Sequence, residues 1–365
     1  MSDFKNNKVS FCIEPWVNLF VRNKGRIQPC CMNSTHLGDI NYESLADVWN
    51  NKKIQRIREL VKKHQYKEAG CKEGCPYIYE LEKKKEKTLI TKEWEQVSLR
   101  NDKFRENIHS LKKSLEKDTF HISNSPITFD IQPIEACNMK CIMCNQDHNS
   151  KDKITTETIS KLFKYKESIF SIRFQGGEIF VDKQFAQYLI NLKDTFSIDT
   201  TICIITNASL LSFEELDKLT EGENPISFII SIDSINKDTY AYIRQTKHFD
   251  KVKRNIEYLS KIQKNKPTKD FLLLNFVVMK SNFYNLHSII MWVNELDISI
   301  NIVPIIGKEY LDENIFEYPN LITDEHEIYL LEAIKLRDKL DAKVYYLDTV
   351  LDKLQEAIAS RKSTN

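Results

Sequence analysis

The 365-residue sequence is nearly free of net charge, at +1 near neutral pH. A chain so balanced has no general electrostatic pull on nucleic acid or on an anionic membrane face, and neither is expected as a partner. Long apolar runs are missing as well. The longest, FLLLNFVVM, is interrupted by Asn275 and is too short to span a bilayer. The opening stretch MSDFKNNKVSF lacks the apolar core of a secretory signal, and nothing there resembles a separate leader-peptide-binding domain. Internal repeats and Ser/Gly-rich linkers do not stand out either. These absences lead to the expectation of a cytoplasmic chain. With 41% apolar and 29% charged residues, and length enough for two domains, it reads as globular rather than disordered or fibrous.

Cysteine, by contrast, is plentiful. Nine cysteines in a reducing compartment point to metal binding or redox work rather than to a disulfide framework. Their placement is uneven. Cys12, Cys30, Cys31, Cys71 and Cys75 crowd the first part of the chain, Cys137, Cys141 and Cys144 form a C-x3-C-x2-C cluster, and Cys203 stands alone.

The organisation follows from composition and period. Residues 1–80 hold two cysteine clusters around the helical stretch YESLADVWNNKKIQRIREL, and residues 81–125 read as a charged helical connector exposed to solvent. From residue 126 to 321, six β-prone runs alternate with helical ones: ITFDIQPI, IFSIRFQ, TTICIIT, ISFIISI, FLLLNFVVM and ISINIVP. Six such units imply a parallel α/β sheet, either doubly wound or a partial or full barrel. Residues 322–365 read as closing helices.

The three-cysteine cluster directly follows the first predicted strand, at the sheet edge where parallel α/β folds place their chemistry. Closed structural zinc sites take four ligands. Three thiolates suit a cubane iron–sulfur cluster with one iron open. The C-x3-C-x2-C motif, together with the segments that follow, resembles the radical S-adenosylmethionine (radical SAM) enzymes. The resemblance implies a partial (β/α)6 TIM-like barrel. It also implies that Cys137, Cys141 and Cys144 hold a 4Fe–4S cluster whose open iron binds S-adenosylmethionine. Reductive cleavage would then give a 5′-deoxyadenosyl radical that takes hydrogen from a substrate.

The same resemblance extends along the strand ends. Gly176, Gly177 and Glu178 in FQGGEIF match the segment that binds the methionine amino group, the glycines because they lack a Cβ. Asn207 matches a residue facing the active site, with Ala208 where the family more often has glycine. Ser231 and Asp233 would approach the ribose or substrate, and Arg244 would pair with the methionine carboxylate through its planar fork. Asn275, Val277 and the VPIIG segment fall where the family flanks its cofactor, and Met143 replaces the usual aromatic residue as an apolar neighbour of the adenine.

Cys12, Cys30, Cys71 and Cys75 supply four thiolates, enough for a second 4Fe–4S cluster, with C-x12-G-x4-C spacing from Cys12 through Gly25 to Cys30. The segment resembles the auxiliary-cluster domains called twitch and SPASM, placed here ahead of the radical domain. A zinc ribbon is the alternative, and Cys31 could replace Cys30 as ligand. Cys203 shares strand parity with Asn207 and would point inward, either as a hydrogen-atom donor or as a small core residue. His148 reads as a solvated loop histidine.

The resulting expectation is a radical SAM enzyme acting on a peptide or protein side chain, with an auxiliary cluster in electron transfer and flavodoxin or ferredoxin as reductant. Oxidation or epimerisation of a sugar or small polar metabolite is the second reading. A zinc-bearing scaffold or electron carrier is the non-enzyme one.

Overall fold

The six β-prone runs all become strands in the computed structural model, each within a few residues of its sequence-based bounds. The structure describes residues 7–117, 119–224, 226–265, 271–307, 310 and 312–364. The first six residues of the MSDFKNNKVSF stretch lie outside them. The chain divides into two compact units.

The first unit holds the described residues up to Ala136, then those of Ser150–Cys203 and 221–224. Its strands are β1 (Asn18–Val21), β2 (Arg26–Gln28), β3 (Gly38–Asp39), β4 (Thr128–Ile131) and β5 (Ser171–Phe174). They run in the spatial order β3-β2-β1-β4-β5. The first three are antiparallel, while β1–β4 and β4–β5 are parallel. All four residues of β1 are buried, as expected of a strand covered on both faces. The cysteine-rich N-terminal segment thus adds strands beside the first strand of the β/α series, a pairing not foreseen from sequence.

Helices Leu45–Trp49 and Lys52–Lys62 replace the single long helical stretch, because Asn51 caps the second by accepting from the Lys53 and Ile54 amides. Helices Lys92–Arg100 and Asp102–Glu116 form in the charged segment. They bury one face, with Trp94 and Phe104 packed edge-on against each other and against Phe170. The charge run belongs to the outer face of packed amphipathic helices rather than to a wholly solvated connector.

The second unit comprises Cys137–Asn149, Ile204–Thr220 and the described residues from Ile226 on. The chain passes from the first unit to the second within β6 (Thr201–Thr206). Strands β7 (Ser227–Ser231), β8 (Leu272–Val278), β9 (Ser299–Pro304) and β10 (Val344–Tyr345) lie side by side in that order, all parallel. In β8 burial alternates strictly: Leu272, Leu274, Phe276 and Val278 are buried, while Leu273, Asn275 and Val277 are half-buried on the other face. Helix Phe213–Thr220 forms in a connection with no helix assigned from sequence, and Lys237–Arg244 adds a helix ahead of the expected FDKVKRNIEYLSKIQ helix, Phe249–Gln263. The fold class is α/β, a partial (β/α)6 TIM-like arrangement, with the three-cysteine loop leaving the C-terminal end of β4.

Candidate iron–sulfur and cofactor site

In the second unit, Cys137, Cys141 and Cys144 are all half-buried in one loop. Short backbone bonds close it: Cys137 N–H donates to the His148 carbonyl (3.1 Å) and Cys144 N–H to the Cys141 carbonyl (3.0 Å). The sulfurs themselves receive donors. Met139 N–H reaches Cys137 Sγ at 3.4 Å and Asn207 Nδ2 reaches it at 3.9 Å. Arg244 Nη1 lies 3.6 Å from Cys141 Sγ. Burial pushes the Cys141 thiol up, and the Arg244 guanidinium opposes that shift. Donors aimed at sulfur stabilise thiolates and tune a cluster bound to them. The donor set fits an iron–sulfur cluster with three protein ligands.

The other residues singled out in this unit divide into four groups. Asn207 is tied into the cysteine loop, donating to Asn138 Oδ1 (3.0 Å) and accepting from Ser209 Oγ (2.7 Å), while Asn138 donates to Ser209 Oγ (2.8 Å). Ala208, next in chain, has φ +57°, a conformation that glycine adopts without penalty. Asp233 and Arg244 form a buried pair at 2.5 Å. Asp233 Oδ1 also accepts from the Val277 amide (2.9 Å), so its carboxylate serves to hold the arginine rather than to reach outward. Arg244 Nε is buried with no hydrogen bond among the described residues, a donor that fits an anionic ligand. Met143 and Val277 join an apolar cluster around Ile243, Met279 and Ile305, with Tyr310 and Phe316 against it. Ser231 and Asn275 are lateral neighbours on β7 and β8. Asn275 Oδ1 accepts from Asn301 Nδ2 on β9 at 2.9 Å. Asn301 was missed in the sequence, although an asparagine on the half-buried face of an apolar strand is a readable signal.

Gly176, Gly177 and Glu178 belong to the first unit. A Cβ on Gly177 would run into the carbonyl oxygens of Ala136 and Glu135, the two residues before Cys137. Gly176 has φ +139° and packs on the Ile134 carbonyl and the Gln132 side chain. Glu178 is fully buried, its N–H on the Ala136 carbonyl (2.8 Å) and its Oε1 accepting from the Phe180 amide (3.3 Å). The glycines therefore secure the backbone that leads into the cysteine loop.

The first unit also gathers the five N-terminal cysteines. Cys75 occupies the N-cap position of helix Pro76–Lys84. Asn33 pairs with both Cys30 and Cys71 by β-bridges, and its Nδ2 lies 3.8 Å from Cys71 Sγ. Burial pushes all five thiols up, Cys31 to about 11. At Cys75 the Ile78 and Tyr77 amides pull the other way. Cys12 is within electrostatic reach of Cys71 and Cys75, Cys30 of Cys12 and Cys31, and Cys31 of Cys75. Among the described residues no three Cys, His, Asp or Glu side chains close round one point as a single bare ion requires. A cubane distributes its ligands over separate irons. Buried and half-buried thiols in mutual reach, with no disulfide among the nine cysteines, form a donor set that fits such a cluster. Cys203, on β6, is half-buried and within electrostatic reach of Arg173. His148 is half-buried, not solvated, with Nδ1 shielded from water.

Residues 131–281 match the model of the radical SAM superfamily, and residues 12–76 match that of the SPASM iron–sulfur cluster-binding domain. Residues 131–281 thus carry a radical SAM domain, with a SPASM-type segment ahead of it. Its cofactors are accordingly a 4Fe–4S cluster with S-adenosylmethionine, and an auxiliary iron–sulfur cluster. Among curated relatives, molybdenum cofactor biosynthesis protein 1 of Dictyostelium discoideum is 28% identical over 230 residues, 60% of this chain and 35% of the relative. A probable GTP 3′,8-cyclase of Sulfurisphaera tokodaii is 27% identical over 221 residues, 59% of this chain and 68% of the relative. The antilisterial bacteriocin subtilosin biosynthesis protein AlbA of Bacillus subtilis is 24% identical over 177 residues, 47% of this chain and 37% of the relative. The chain thus spans from about a third to two thirds of the length of these relatives. The crystal structure of Streptococcus suis SuiB has a TM-score of 0.48 at 14% identity, covering 80% of this chain and 60% of that one. No helix among the described residues is long and apolar enough to cross a membrane.

Proposed function

We propose that this protein is a radical SAM enzyme that removes hydrogen from a side chain of a peptide or protein and uses its N-terminal thiol set for electron transfer. The observation that carries the radical reading is the cysteine loop, with Asn207 and Arg244 donating to its sulfurs and Arg244 Nε left over for an anion. In this reading Cys137, Cys141 and Cys144 hold the cluster, which supplies a 5′-deoxyadenosyl radical from S-adenosylmethionine on one-electron reduction. Arg244, oriented by Asp233, receives the methionine carboxylate. Gly176, Gly177 and Glu178 shape the amino-group end, and Met143 and Val277 offer apolar cover to the adenine. Ser231 and Asn275 face the ribose or substrate. Cys203 is assigned as a small inward residue, with hydrogen donation as the second role.

Cys12, Cys30, Cys71 and Cys75 are the auxiliary ligands, with Cys31 the substitute for Cys30. Four thiolates would fill every corner of a cubane and leave no iron for substrate, which favours electron transfer over substrate binding. The domain limits proposed are 1–80 for the auxiliary segment, 81–125 for the helical connector, 126–321 for the barrel and 322–365 for the closing helices. Flavodoxin or ferredoxin is the proposed reductant and the cytoplasm the proposed location, since reduced thiols suit a reducing compartment.

The peptide reading draws support from the bacteriocin-biosynthesis relative, and the GTP cyclase relative favours a small metabolite instead. Reconstituted enzyme, S-adenosylmethionine and dithionite are to be incubated with peptide-sized and metabolite-sized fractions of a cell lysate while 5′-deoxyadenosine is measured. The expected result is stimulation by the peptide fraction that is lost after protease treatment. Stimulation that survives protease, or that GTP alone reproduces, would overturn the peptide substrate and leave the radical chemistry standing.

A further inference from the structure

Arg173 takes no part in the assignments above, yet its side chain is set with unusual care. It lies on β5, directly across from Asp130 on β4. Its Nε donates to Asp130 Oδ1 at 2.6 Å, and Asp130 Oδ2 accepts from Asn18 Nδ2 at 3.2 Å. Asn18 is itself fixed, its Oδ1 accepting from Thr128 Oγ1 at 3.0 Å. Both carboxylate oxygens are therefore committed. The Asp130 side chain is 6% exposed, while that of Arg173 is 33% exposed.

The consequence concerns the other end of the guanidinium. Only Nε is used, so the two terminal nitrogens make no hydrogen bond within the described residues. A guanidinium held by one edge and open at its fork matches the two oxygens of a carboxylate. It is also preorganised, because the chain of hydrogen bonds through Asp130, Asn18 and Thr128 sets its angle before any ligand arrives. A structural ion pair would be satisfied by side-on contact through Nε and a terminal nitrogen; this one leaves the fork unused.

We infer that Arg173, oriented by Asp130 and Asn18, is a substrate-anchoring residue that binds a carboxylate of the substrate. Charge selects a carboxylate over a phosphate: the Asp130 and Glu14 carboxyls both lie in electrostatic reach of the arginine, so a monoanion is opposed less than a dianion would be. Glu14, whose carboxyl burial pushes up, is in electrostatic reach of both partners, as are Tyr77 and Cys31, and Cys203 is in reach of Arg173. The inference deepens the peptide reading by naming the group that the substrate presents, an acidic side chain or a chain terminus.

The test is chemical modification of the reconstituted full chain. Phenylglyoxal condenses with the terminal guanidinium nitrogens, and peptide mass spectrometry reads the adduct at Arg173. Three protectants are compared at equal ionic strength: N-acetyl-glutamate amide, with only a side-chain carboxylate; N-acetyl-glutamine, with only a terminal one; and neutral N-acetyl-glutamine amide. Modification is expected to slow about threefold or more with one of the carboxylates and not with the neutral amide, and which one protects identifies the source. Asp130→Asn is expected to abolish the protection while leaving Arg173 reactive. An Arg173 that resists phenylglyoxal, or one modified equally fast with all three probes, would overturn the inference. Because no turnover is needed, the arginine is tested even if the substrate proves not to be a peptide.

Discussion

Single residues explain much of how the site is held. Arg58 is fully buried and satisfies the carbonyls of Pro15 (2.9 Å), Trp49 (2.8 Å) and Phe120 (3.0 Å), with its guanidinium 4.7 Å over the Trp49 ring. Replacing it by leucine leaves those acceptors without a donor, so Arg58→Leu should cost about 3 kcal/mol. Urea denaturation measures this, and an unchanged midpoint would contradict the role. Gly177 tests a different point. A methyl there must displace the Glu135 and Ala136 carbonyls that lead into Cys137, so Gly177→Ala is expected to weaken S-adenosylmethionine binding about tenfold. Equilibrium dialysis with labelled cofactor reads it; wild-type affinity would show that the loop tolerates the shift. At this scale the sequence was partly legible. The glycine pair could be read because tight backbone approach demands the missing Cβ, whereas Asp233 looked like a ligand contact until its burial under Arg244 was seen. Pairing geometry of that kind has no signature in a linear motif.

At the scale of elements, strand runs were the most legible feature. ISFIISI and FLLLNFVVM became Ser227–Ser231 and Leu272–Val278 because β-branched and aromatic runs bounded by polar residues have few alternatives. The NLFV strand was hidden inside a cysteine-rich segment, and its burial depends on pairing with Thr128–Ile131, over a hundred residues away. Helix Lys237–Arg244 escaped notice at eight residues, too short to build a clear period, although Asn236 caps it by accepting from the Asp238 and Thr239 amides. Capping also explains the break at Asn50–Asn51. Asn51→Ala should lower stability by about 1 kcal/mol through loss of the cap on Lys52–Lys62. Thermal melting followed by circular dichroism checks this, and Asn51→Asp, which keeps an acceptor, should recover most of the loss.

For the whole molecule, the proposed function gives two thiol sets different tasks. One is a three-cysteine loop with donors aimed at its sulfurs, which leaves a cluster iron open for S-adenosylmethionine. The other is an N-terminal set, buried or half-buried, in which four thiols would suffice to close a cluster. Both sets were visible as spacings in the sequence, because ligand chemistry constrains residue type more tightly than packing does. What could not be read was the pairing: β1 beside β4 and the Asp130–Arg173 pair bring together residues from distant parts of the chain, and the Asp233–Arg244 pair closes across a strand end and the helix after it. The most direct measurement is iron and sulfide per chain after anaerobic reconstitution, in the wild type and in Cys12→Ala/Cys30→Ala. The account expects about eight irons, falling to about four in the variant, as two cubane clusters require. About four irons in both proteins, with zinc bound to the wild type alone, would contradict the auxiliary redox role.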